Sequence, residues 1–147
     1  MKEKIMPRYT VLVVDDEEEF RDITSKRLNK RDIECDTASN GDAALEMVTK
    51  KNYDVILLDV KMPGRDGIEI LREIKKIAPL TEVVMLTGHA SVESGINGIK
   101  YGAFDYLMKP IDLDPLYEKL NAAYEQKRAQ EAKVEMAQSK RDMVRPS

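Results

Sequence analysis

A single cysteine, a single histidine and no tryptophan occur among the 147 residues of this chain. Cys35 has no partner for an internal disulfide, which points to a reducing, cytoplasmic setting and to a buried structural thiol. His89 by itself makes neither a metal site nor a catalytic triad. No apolar run approaches the roughly 18 residues of a membrane span. The segment Met1 to Arg8 carries charges with no apolar stretch behind it, which predicts no secretory signal. A basic excess is also missing. Lys and Arg total 24 against 27 Asp and Glu, a net charge of -3, which excludes a chain built to coat nucleic acid.

What is present suits one globular domain. Hydrophobic residues make up 42% and charged residues 35%. The charged share exceeds the usual quarter or so, and the surplus gathers after residue 117. Short apolar runs alternate with segments of helical period. Tyr9 to Val14, Ile33 to Ala38, Tyr53 to Asp59, Glu82 to Thr87 and Ala103 to Met108 read as strands. Between them, Phe20, Ile23, Thr24, Arg27 and Leu28 mark a helix over Glu18 to Lys30. Asn40 reads as the N-cap of a second helix carrying Ala43, Ala44, Met47 and Val48. Ile68, Leu71, Ile74 and Ile77 form the stripe of a third, ended by Pro79. Ser91 to Lys100 is a weaker fourth, because Gly95 and Gly98 each cost it roughly 1 kcal/mol relative to Ala. A fifth begins near Leu113 and runs to about Met143, roughly 45 Å at 1.5 Å per residue.

Strand-then-helix units in series demand parallel strands with crossover helices on both faces. The fold class expected is α/β: a flavodoxin-like, doubly wound five-stranded parallel sheet in the order 2-1-3-4-5, with an extended C-terminal helix. In such a sheet chemistry sits at the carboxyl ends of the strands. Those ends carry Asp15 and Asp16, Asp59, Thr87 and Lys109. Clustered carboxylates at about 4 Å and an effective dielectric near 20 repel by about 4 kcal/mol a pair, so the group calls for a cation. An all-oxygen donor set fits Mg²⁺. A divalent cation and a lysine bracketing a lone carboxylate suggest phosphoryl transfer, with Asp59 as nucleophile and Thr87 as a hydrogen-bond donor to the phosphoryl group. Taken singly, the acids after the first strand could equally be helix N-terminal residues favoured by the macrodipole.

Four blocks carry a resemblance: Val13-Val-Asp-Asp-Glu17, Leu57-Leu-Asp-Val-Lys-Met-Pro-Gly64, Leu86-Thr-Gly-His-Ala90 and Tyr106-Leu-Met-Lys-Pro110. In order and spacing they resemble the response-regulator receiver domains of two-component signal transduction, over about residues 8–120. The resemblance implies that Asp59 is the phosphoacceptor. It also implies that Asp16, Asp59 and the Lys61 carbonyl bind Mg²⁺, with Asp15 helping through water. Thr87 and Lys109 would contact the phosphoryl group, Lys109-Pro110 would be a cis peptide, and Lys61 and His89 would tune the phosphate lifetime. Tyr106 would turn inward with Thr87 and change the surface made by the fourth helix, fifth strand and fifth helix; without that role it is a half-buried strand tyrosine. The implied partners are a sensor histidine kinase or phosphotransfer protein and a downstream output, with no nucleic acid and no membrane bound by the chain itself.

Residues 121–147 read as a charged helical extension. Ala122, Ala129, Ala132, Met136 and Met143 fit part of a heptad, while Glu125 and Ser139 break it. That leaves a weak coiled coil supporting a homodimer, or a solvated helix that frays. The homodimer could also form through the surface of the fourth helix, fifth strand and fifth helix. The Thr87 to Ala90 block and long helix resemble receivers that precede an ATPase transcription activator, so the chain is either a stand-alone receiver or part of a longer regulator. Three competing functions remain. A metal-dependent aspartyl phosphatase would place its two acids on the first strand two residues apart. A flavin or nucleotide binder would need a glycine-rich loop where Asp15 to Glu19 stands. A vestigial module would act only through its C-terminal helix.

Overall fold

The computed structural model describes residues 8–88 and 91–144. His89 lies outside the described residues. The elements are β1 (Thr10–Val14), α1 (Glu18–Lys30), β2 (Glu34–Ala38), α2 (Gly41–Lys50), β3 (Val55–Asp59), α3 (Gly67–Ile77), β4 (Glu82–Thr87), α4 (Val92–Lys100), β5 (Asp105–Met108) and α5 (Leu113–Val144). They form one five-stranded sheet in the order β2-β1-β3-β4-β5, with every pairing parallel.

The central strands are uninterrupted apolar runs because both of their faces are covered. Their period of two nevertheless divides the core. Leu12, Val14, Ile56, Leu58, Val83 and Met85 face one way and pack against α2 and α3 through Ala44, Val48, Ile70, Leu71 and Ile74. Val11, Val13, Val55, Leu57, Val84 and Leu86 face the other way, against Leu28 of α1 and Leu116, Leu120 and Ala123 of α5. Each aliphatic side chain fully buried in this way stabilises by about 1.5–3 kcal/mol. A one-residue slip of any central strand would exchange the two sets, so the register is strongly specified.

Local signals set the helix ends. Asn40 caps α2, its Oδ1 accepting from the Ala43 N–H at 2.8 Å. Asp66 caps α3 by accepting from the Ile68 N–H at 3.1 Å. Pro79 follows two residues after the last residue of α3. Three readings need correction: Ile77, placed on the apolar stripe of the third helix, is 44% exposed at the end of α3, where the buried stripe is Ile70, Leu71 and Ile74. Ile23 is 43% exposed and stays out of the core, because α1 turns Thr24 and Leu28 inward and leaves Ile23 on a groove with Phe20 and Ile111. Cys35 is half-buried rather than enclosed, since β2 is an edge strand. Burial, helped by the charge of Asp36, still pushes its thiol up to about 12, which leaves it inert.

The C-terminal helix stays on the domain beyond its last leucine. Tyr124 stacks on Tyr9 with ring centroids 4.5 Å apart, and the Tyr9 hydroxyl donates to Asn121 Oδ1 at 2.5 Å. Lys127, only 3% exposed, reaches Asp54 at 2.7 Å and Glu131 at 3.4 Å. From residue 132 to 143 every residue is exposed. No helix among the described residues is long and apolar enough to cross a membrane.

Candidate functional site

Backbone pairing delivers the strand ends to one place. The Asp15 N–H donates to the Ala38 carbonyl, the Val60 N–H to Leu86 and the Lys109 N–H to Thr87, at 3.1, 3.0 and 2.7 Å. Asp15 and Asp16 therefore leave β1, Asp59 ends β3, Thr87 ends β4, and Lys109 follows β5, all at the same edge of the sheet. The Lys109-Pro110 peptide is cis.

Asp15, Asp16 and Asp59 each bring a carboxylate oxygen within 4.8 Å of the others. Asp15 is fully buried, Asp59 is 7% exposed and Asp16 faces solvent. Asp59 Oδ1 accepts from the Lys61 N–H at 3.0 Å, and Asp15 Oδ1 accepts from the Glu17 N–H at 2.9 Å. Lys109 Nζ stands 2.5 Å from Asp15 Oδ2, 3.0 Å from Glu17 Oε1 and 3.7 Å from Asp59 Oδ2. It also lies 4.4 Å from the Phe20 ring centroid. Burial alone would lower the Lys109 ammonium, but Asp15 and Glu17 outweigh that and leave its pKa raised.

One ammonium among three carboxylates leaves the group short of positive charge. Asp15 Oδ2 is buried and, among the described residues, accepts no well-formed hydrogen bond beside the close ionic contact with Lys109. A buried oxygen in that position and an all-oxygen donor set fit a hard divalent cation. Burial pushes Asp59 up to about 6; the charges of Asp15 and Asp16 add to this, while the Lys61 N–H and Lys109 oppose it. The folded carboxyl holds its proton more tightly than an unfolded one titrating at 3.8, so its contribution to stability is full below that value and lost as pH rises through about 6. In metal-free protein a ¹³C-carboxyl titration should place the Asp59 midpoint near pH 6. A midpoint below 4 would contradict the desolvated geometry.

The structure does not bring every expected residue onto Asp59. Thr87 is fully buried, and its hydroxyl donates to the Leu107 carbonyl across a long 3.4 Å. Lys61 contributes its backbone N–H to Asp59 while its own side chain is exposed. Tyr106 is half-buried and packs on the Met85 side of the sheet. Three residues that sequence reasoning passed over also belong here. Glu17 shares Lys109, and Arg21 donates to the Asp15 carbonyl at 2.8 Å. Arg65 ties the loop after β3 to Asp42 of α2 and to Glu69 and Glu73 of α3. Glu17 and Arg21 sit in a charged stretch and Arg65 in a proline- and glycine-containing loop, where no spacing marks them out.

Comparison with known proteins agrees with this arrangement. The family model of the response regulator receiver domain matches residues 11–121. The DNA-binding transcriptional regulator NtrC of Escherichia coli (strain K12) is 38% identical over 109 residues, covering 74% of this chain and 23% of that protein. Transcriptional regulatory protein ZraR of Klebsiella oxytoca is 39% identical over 124 residues, covering 84% of this chain and 28% of that one. The crystal structure of the receiver domain of NtrX from Brucella abortus matches at 36% identity with a TM-score of 0.75, covering 78% of this chain and 98% of that domain. The chain thus spans about a quarter of the length of these curated relatives. With strand order, carboxylate cluster and lysine in agreement, the chain belongs to the response regulator receiver domain family.

Proposed function

We propose that this chain is a phosphoacceptor switch that receives a phosphoryl group on Asp59 from a sensor histidine kinase or phosphotransfer protein. The observation that carries the reading is the meeting of Asp15, Asp16 and Asp59 with Lys109 at the carboxyl edge of the sheet. Asp15, Asp16, Asp59 and the Lys61 carbonyl would hold Mg²⁺, which when bound supplies positive charge against the phosphoryl oxygens. An Asp59 oxygen attacks phosphorus in line; the new O–P bond forms as the donor's bond to phosphorus breaks, and that electron pair leaves with the donor. Lys109 pairs with a phosphoryl oxygen. The Thr87 hydroxyl exchanges its weak bond to Leu107 for one to the phosphoryl group, and Tyr106 turns inward with it. Lys61 and His89 tune the lifetime of the phosphate.

The output surface is then α4, β5 and α5. Residues 8–120 form the switch and 121–147 the extension that passes its state on. Likeness to NtrC and ZraR over a fraction of their length supports a regulator whose transcriptional output lies in a further region, in a cytoplasmic, two-component setting. Self-association through α4, β5 and α5, or through the extension, would be the form in which the state is read.

Incubation with acetyl phosphate, followed by intact mass spectrometry, tests the reading. The expected result is one phosphoryl adduct that requires Mg²⁺ and is missing in Asp59→Ala. An adduct that persists in the variant would place the acceptor elsewhere, and one that forms equally well without Mg²⁺ would remove the metal from the reaction.

A further inference from the structure

The two glycines of α4 face different neighbours. Both are buried against the sheet. A Cβ at Gly98 would meet Met85 Cγ at 2.9 Å and Sδ at 3.5 Å, the middle of a flexible side chain. A Cβ at Gly95 would stand 2.5 Å from Thr87 Cγ2 and 3.2 Å from Tyr106 Cβ. The backbone of α4 therefore rests directly on the Thr87 methyl, with no side chain between them.

Thr87 has little room to retreat. Its strand is tied on both sides, by the Val60 N–H to Leu86 and by the Lys109 N–H to the Thr87 carbonyl. Among the described residues, its hydroxyl is held by the long bond to Leu107 alone. The cheap responses to a filled position 95 are rotation of Thr87 about χ1 and outward movement of α4. Either one changes the same pair of groups that phosphorylation is proposed to move.

We propose that Gly95 is a positioning residue for Thr87: its missing side chain is the seat that keeps the Thr87 hydroxyl turned from Asp59 and α4 closed on Tyr106. The inference rests on the phosphoacceptor reading above, in which Thr87 joins the phosphoryl group. Filling the seat with alanine moves Thr87 and α4 part of the way toward their phosphorylated arrangement while Asp59 is still unmodified.

The test compares Gly95→Ala, Gly98→Ala, Thr87→Ser and the Gly95→Ala/Thr87→Ser double variant in the full chain. Serine keeps the hydroxyl and deletes the methyl that an alanine at 95 would strike. Gly95→Ala should change the acetyl phosphate reaction rate roughly three- to tenfold, in the range by which coupled positions modulate a two-state element. It should also shift the Thr87 methyl resonance in the unphosphorylated protein toward its phosphorylated position. Gly98→Ala, which strikes Met85 rather than Thr87, should change the rate less than Gly95→Ala does and leave the Thr87 methyl resonance in place. In the double variant the effect of the alanine should vanish, so that its rate matches that of Thr87→Ser alone. Additive effects, a native-like Thr87 resonance in Gly95→Ala, or an equal shift in Gly98→Ala would overturn the proposal. Should Gly95→Ala fail to fold, recovery of folding in the double variant supports the seat, and continued failure refutes it. An absent adduct in the native chain would fell the phosphoacceptor reading itself, and this inference with it. A normal native adduct with additive variants fells the inference alone.

Discussion

Replacing Asp54 by alanine is expected to lower the unfolding free energy by about 3 kcal/mol, at the lower end of the cost of breaking a buried ion pair. Asp54 lies just ahead of β3, at the edge of the sheet opposite Asp59. Its Oδ2 accepts from the Thr10 N–H at 2.9 Å and from the Thr10 hydroxyl at 3.2 Å, while Oδ1 takes Lys127 Nζ at 2.7 Å. Burial would lower the Lys127 ammonium, yet Asp54 and Glu131 together leave its pKa raised, so it stays charged. Without Asp54 that charge faces, among the described residues, only Glu131, which is 3.4 Å away and half-exposed. Fully exposed pairs such as Lys50–Glu46 are screened by solvent, so the loss should stand well above theirs.

The reverse change should cost less. Lys127→Met keeps the apolar stem packed, and Asp54 keeps both Thr10 donors and some contact with water. Urea unfolding of the two variants gives the ranking, and Lys127→Met proving the more damaging would contradict it. Hydrogen exchange adds a local readout. Amides from Asn121 to Glu131 should lose protection in both variants, because the clamp joins this part of α5 to the sheet.

Much of the fold and the centre of the site are legible in the amino-acid order. Parallel strands covered on both faces leave apolar runs that need no partner to be recognised, and Val11 to Val14 and Val55 to Leu58 are such runs. Strand ends follow from the runs, so Asp15, Asp16, Asp59, Thr87 and Lys109 can be grouped by topology alone. Asn40 is legible as a cap because its partner is three residues away. What escapes depends on distant partners. Lys127 looks like any other lysine of a helix rich in Ala, Glu, Gln, Lys and Arg; its partner Asp54 is 73 residues away in sequence. The exposure of Ile23 depends on how α1 is rolled against the sheet, which its spacing leaves open over one position. The direction of the Thr87 hydroxyl is a rotamer choice, settled by Leu107 and by the bare backbone at Gly95. Glu17 stands in a run of three glutamates that spacing cannot tell apart.

The largest effect on the site itself is expected for Lys109→Met. In metal-free protein the change removes the cation lying 2.5 Å from the buried Asp15 Oδ2 and 3.7 Å from Asp59. Two buried carboxylates and Asp16 then repel one another with nothing between them, at a cost of about 3 kcal/mol. Asp59 also loses a group that holds its pKa down, so its proton should be retained to higher pH than in the native chain. Added Mg²⁺ reverses both effects, since a ligand that binds only the folded state stabilises it by RT ln(1 + [L]/Kd), about 2.7 kcal/mol at a hundred times Kd. A cation entering the variant no longer meets the ammonium, and its affinity should rise roughly tenfold, the equivalent of about 1.4 kcal/mol. Urea unfolding with EDTA and with Mg²⁺ therefore separates the two chains: the variant is weaker without the metal and gains more when it is added. Equal gains in both chains would mean that Lys109 and the cation do not share a field. If the variant binds Mg²⁺ more tightly yet accepts phosphoryl groups more slowly, the carboxylates hold the metal while the lysine serves the phosphoryl oxygen, as proposed.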